Sequence, residues 1–162
     1  MNAKMDIVWQ LEFRKRMEDF RRAKPDVPLP VSIKVRPVSG CFNRPYSPHA
    51  FKLIDRYLAG ADLSGVPCQF EKHESGPELL VGLNAATAGL TFPPSVVELI
   101  AAIIRARSEG IQNGDWPAEP LALIVRGYSR NGEFFEKAVL RIPPQSVVTT
   151  RQIEDALASF RR

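Results

Sequence analysis

Asn131-Gly132 lies between two segments of alternating apolar residues and constrains the fold more than any other feature of the chain. Both positions tolerate positive φ, so the dipeptide predicts a two-residue hairpin turn and, with it, a register. Residue 130 then pairs with 133. One face sets Leu121 opposite Ile142, Leu123 opposite Leu140 and Val125 opposite Ala138, and this face reads as core. The other pairs Ile124 with Val139 and Tyr128 with Phe135, but sets Arg126 opposite Lys137. Like charges directly across a ladder are unfavourable unless an acid or an anion lies between them. Such a local conflict marks a place to look for function.

A helix is predicted before this hairpin and another after it. Ser95-Val96-Val97-Glu98 reads as a capping box, and Val96, Val97, Leu99, Ile100, Ile103 and Ile104 cover much of the helix that follows. Arg105 and Arg107 fall in its expected last turn, and Gly110 is its expected end. Thr149 and Gln152 form a second capping box, with Ile153, Leu157 and Phe160 as the inner stripe of a terminal helix.

Upstream, Val31, Ile33 and Val35 alternate with Ser32, Lys34 and Arg36, the pattern of a strand with one buried face. After a polar loop from Pro37 to Tyr46, Ser47 is placed to cap a helix, Pro48 suits its first turn, and Gly60 suits a left-handed end. Phe51, Ile54 and Leu58 give that helix its apolar stripe. Val66, Cys68 and Phe70 predict a second strand. Residues 77–90 fit two patterns. Leu79, Leu83, Ala86 and Leu90 recur at helical spacing, and the alanine content favours a helix, whereas Leu79 to Val81 also reads as a short buried strand.

These elements predict one α+β domain over residues 31–162, a two-layer sandwich of mostly antiparallel sheet covered by helices. With residues 78–83 as a strand, the order becomes the ferredoxin-like β-α-β-β-α-β. Residues 1–30 read as a basic amphipathic extension and proline-rich linker. Trp9, Phe13, Met17 and Phe20 recur at helical spacing, while Met5, Ile7, Trp9, Leu11 and Phe13 also alternate as in a strand, so a helix is predicted only after Leu11. Pro25, Pro28 and Pro30 then end it.

With 44% hydrophobic and 25% charged residues the chain falls in the globular range. The longest apolar run, Val96 to Ile104, is interrupted by Glu98 and is too short to cross a bilayer, so no membrane partner is expected. No charged leader precedes an apolar core, and two cysteines are few for a secreted domain, so a cytoplasmic location is expected.

Candidate chemistry is sparse. Cys41, His49, Cys68 and His73 lack the paired spacing of a zinc site, and no glycine-rich phosphate loop or nucleophile elbow occurs. No metal, cofactor or catalytic set is therefore assigned. A small enzyme would have to centre on Cys41 with His49 as its base. The net charge of +4 and the cations Arg126, Lys137 and Arg141 around the hairpin raise nucleic-acid binding as an alternative. The preferred reading is a non-enzymatic interaction module whose Trp9, Phe13 and Phe20 dock on a protein partner or on a second copy.

One order of features runs from Phe51 to Phe160. A helix ends in Tyr57-Leu58, Leu63-Ser64-Gly65 precedes a strand, and Gly76-Pro77-Glu78 precedes a stretch of small residues. An apolar helix ending in Arg105 and Arg107, a strand-turn-strand with Gly132, and a terminal helix with Ile153 and Leu157 complete it. This order resembles the effector-associated constant component domains of bacterial conflict systems. The resemblance implies an adaptor that couples effectors to partners without catalysis. Residues 1–30 and the loop 37–46 depart from the pattern.

Overall fold

The fold is described from a computed structural model covering residues 3–24, 29–63, 65–83, 92–116, 118–129 and 131–159. Its elements are α1 (Ala3–Ala23), β1 (Leu29–Pro37), α2 (Pro48–Gly60), β2 (Cys68–His73), β3 (Gly76–Leu83), α3 (Pro94–Gln112), β4 (Leu121–Tyr128), β5 (Phe134–Ile142) and α4 (Thr150–Ala158). The strands form an open antiparallel sheet in the order β2-β3-β1-β4-β5. This is the expected α+β class, with helices packed on the sheet. From β1 to β4 the connection runs β-α-β-β-α-β, the ferredoxin-like alternative, and β5 extends it at one edge.

That order exists because residues 78–83 form a strand and not the favoured helix. β3 pairs with β1 on one side and β2 on the other, and Glu78 to Gly82 are buried on both faces. A strand covered on both faces needs a continuous apolar run, and Leu79-Leu80-Val81 supplies one. The rest of the predicted helix, residues 84–90, lies outside the described residues.

One face of the sheet carries the main core. Val31, Ile33 and Val35 of β1, Leu79 and Val81 of β3, and Leu121, Leu123 and Val125 of β4 pack against α2, α3 and α4. The opposite face is covered by α1. Phe13, Met17 and Phe20 form its buried stripe and meet Leu80, with Tyr128 and Phe134 at the margin. Helix runs through the whole of α1, so the alternation from Met5 to Phe13 does not act as a strand pattern. Leu11 is left 61% exposed and Val8 51%.

The hairpin departs from its predicted register in one half. Ser129 and Glu133 close a three-residue loop, with Ser129 N donating to Glu133 O (2.8 Å) and Gly132 at φ +81°. The extra loop residue shifts the pairing by one, giving Tyr128 with Phe134, Arg126 with Glu136 and Val125 with Lys137. A bulge between Leu123 and Ile124, where Val139 is the extra residue, then restores Leu123 with Leu140 and Leu121 with Ile142. The anticipated Arg126–Lys137 conflict does not arise.

Four helix ends also differ from expectation. α3 starts at Pro94 after Pro93, without the Ser95 box, and continues past Gly110 to Gln112, so Arg105 and Arg107 lie before its last turn. Gly110 instead allows close packing: a Cβ there would lie 2.1 Å from Asp115 Oδ2. Ser47 does sit at the N-cap of α2 but makes no side-chain cap. Asp115 takes that role from outside the helix, accepting from His49 N (3.2 Å) and Ala50 N (2.9 Å). Gly60 is not left-handed, since the helix passes into an extended Ala61. The Thr149–Gln152 capping box forms with both of its hydrogen bonds, while Phe160 lies outside the described residues.

Candidate functional site

The face beneath α1 is unusually polar for a covered surface. Alternation along β1 turns Ser32, Lys34 and Arg36 away from the main core, and the register sets Ser32 beside Arg126 and Lys34 beside Glu78. Ser32, Lys34, Glu78 and Arg126 are all buried. A buried charge is tolerated only with partners.

Glu78 is the hub. Its Oε2 accepts from Ser32 Oγ (2.6 Å) and from Arg126 Nε (3.2 Å) and Nη2 (2.5 Å). Its Oε1 accepts from Arg16 Nη1 of α1 and lies 3.1 Å from His73 Nε2. Burial alone pushes the carboxyl up, but the His73 contact, the Arg126 charge and the Ser32 bond outweigh it and hold Glu78 well below the usual carboxylate range. Directly across the ladder from Glu78 stands Glu71, a like-charge pair on adjacent strands. Arg16 resolves it by bonding Glu71 Oε1 (2.9 Å) as well, and His73 Nε2 lies 2.9 Å from the same oxygen. The sheet's real charge conflict therefore sits at Glu71–Glu78, and α1 neutralises it.

Glu71, His73 and Glu78 place ligating atoms within 4.8 Å of one another, the one such grouping among the described residues. The Arg16 guanidinium already lies among them, and Arg16 with Arg126 matches the two carboxylates in charge. A divalent ion would have to displace Arg16, so the donor set fits an internal ion-pair network better than a metal centre.

Lys34 differs from its neighbours. It is 3% exposed and donates to Gly76 O (2.8 Å), yet it makes no ion pair among the described residues. Burial lowers its ammonium to about 8, against the attraction of Glu78 and with the help of the Arg126, Arg16 and Arg36 charges. Lys34 lies in the wall of a cleft of about 830 Å³ between α1 and the sheet, together with Arg16, Arg36, Cys41, His73 and Arg126. Lys15, Glu12, Asp19 and Glu74 line it further out.

The residues singled out from sequence are dispersed. Phe13 and Phe20 are 0% and 1% exposed, packed on the chain's own sheet and not displayed for docking. Trp9 is half-buried. It stacks on Phe13 (5.7 Å between centroids) and meets Phe134 edge-on, and the Arg126 guanidinium lies 4.8 Å from its ring centre. Arg126 is buried, whereas Lys137 and Arg141 are exposed. Lys137 pairs with Val125 on the core face and Arg141 with Ala122 on the α1 face, so the three cations form no common surface. Cys41 reaches the cleft, but His49 is turned to Asp115, with Nδ1 2.8 Å from Oδ1, and the imagined thiol-base pair has no support.

Sequence inspection missed Lys34, Glu78, Glu71, His73 and Arg16 as a group. The available signal was the stripe Phe13, Met17 and Phe20, which needs an apolar partner and so implies a sheet covered on both faces. No helix among the described residues is long and apolar enough to cross a membrane. Comparison of the chain with protein-family models, curated proteins and solved structures gives no match.

Proposed function

We propose that the chain is a non-enzymatic interaction module that grips an acidic segment of a partner protein in the cleft beneath α1. The observation that carries this reading is Lys34, a buried cation that makes no ion pair among the described residues, in the wall of an open cleft. Its cross-strand neighbour, Glu78, spends both oxygens on Arg16, His73, Ser32 and Arg126. An incoming carboxylate or other anion supplies what the fold leaves out. An adaptor role of the kind implied by the resemblance fits such a module.

Nucleic-acid binding through Arg126, Lys137 and Arg141 is less well supported, because Arg126 is buried and the other two lie on opposite faces. The Trp9 ring is also engaged within the chain, by Phe13 and by Arg126.

Calorimetric titration with a short polyglutamate peptide tests the reading. The wild type should bind, and Lys34→Met should bind about tenfold or more weakly while remaining folded. Equal binding by both proteins would remove the cleft from consideration.

A further inference from the structure

We infer that the group held in this cleft is a dianionic phosphate, bound between Lys34 and Arg36. The inference rests on the acidic-partner reading and narrows its chemistry. Lys34 and Arg36 are two apart on β1, so their side chains leave the same face of the strand toward the cleft. Neither makes an ion pair among the described residues, whereas Arg16 and Arg126 in the same wall are committed to Glu71 and Glu78. Two cations outside the Glu71–Glu78 ion-pair network, with Glu12, Asp19 and Glu74 among the residues lining the cleft, match the charge of a phosphate monoester better than the single charge of a carboxylate.

The donor types point the same way. Arg36 offers a planar fork suited to two phosphate oxygens, and Lys34 is a point charge with two N–H groups left after its bond to Gly76 O. Fixing that ammonium through the Gly76 carbonyl orients it before any ligand arrives. The phosphate is either free or carried on a serine or threonine of the partner.

The test titrates the full chain with inorganic phosphate, with a short phosphoserine peptide, and with the same peptide carrying glutamate instead. Tighter binding of the phosphopeptide than of the glutamate peptide, with competition by inorganic phosphate, is expected. Lys34→Met and Arg36→Gln should each weaken phosphopeptide binding about tenfold or more, and Lys137→Gln should not. Inorganic phosphate binding as tightly as the phosphopeptide would leave the phosphate assignment at Lys34 and Arg36 standing and overturn the partner-segment reading. Binding of the glutamate peptide without competition by phosphate would overturn the phosphate assignment and leave the acidic-partner reading intact. No binding of any of the three would overturn both. Circular dichroism on each variant separates lost binding from lost fold.

Discussion

Arg126 and Glu78 form a buried two-point contact across β1, with Nε and Nη2 of the arginine both donating to Oε2 of the glutamate. Glu78→Gln keeps the shape of the side chain and removes the charge that Arg126 and Arg16 share. Breaking one side of a buried pair costs about 3–5 kcal/mol, and denaturant unfolding of Glu78→Gln should show a loss of that order. The same substitution alters the response to acid. Glu78 is held below its ordinary value of 4.5, so its stabilisation is present above that pH and declines as pH falls below it, when the unfolded chain takes up the proton first. The difference in stability between wild type and Glu78→Gln should therefore shrink as pH falls below about 4.5.

Lys34 works in the opposite sense. Its folded ammonium titrates at about 8 and its unfolded one at 10.5, so between these values the unfolded chain holds the extra proton. Stability should rise with pH across that window, by about 3 kcal/mol at most. Lys34→Met should be more stable than wild type at pH 7, with the gap closing by pH 10.5. Paired thermal melts of the two proteins isolate this effect from the tyrosines and Cys68, which both share.

Phe13 is fully buried between α1 and the sheet. Phe13→Ala should cost about 3–5 kcal/mol by denaturant unfolding. Removing residues 1–24 altogether uncovers Leu80 and leaves Glu71 facing Glu78 without Arg16. Light scattering should then show more self-association than the intact chain does.

Gly76 has φ +144°, and a Cβ there would sit 2.1 Å from Val35 O. Gly76→Ala should cost about 2–4 kcal/mol, from backbone strain and from the forced separation of the β2–β3 turn from β1. Because Lys34 donates to the Gly76 carbonyl, polyglutamate binding should fall along with stability in this variant, as measured by calorimetry.

Elements whose cues are local were legible in the sequence. The alternation of β1, the apolar stripe of α2, and the Thr149–Gln152 box each depend on residues within a few positions of one another. Errors arose where a distant residue took over a local role. Asp115 caps α2 from 65 positions away in place of Ser47, and β3 reads as a helix until its two strand neighbours are known. The site was hidden for the same reason. Ser32, Lys34 and Arg36 look like the solvated side of an amphipathic strand, and only the docking of α1 turns that side into an interior.

The bulge at Val139 lets the hairpin keep two registers, one on each side of it. Toward the turn, the count of loop residues dictates which side chains meet, and that half places Glu136 beside Arg126. Toward the far end, Leu121–Ile142 and Leu123–Leu140 follow the core alone. A change in loop length can thus be absorbed at the bulge, leaving the Leu121–Ile142 and Leu123–Leu140 pairs in place.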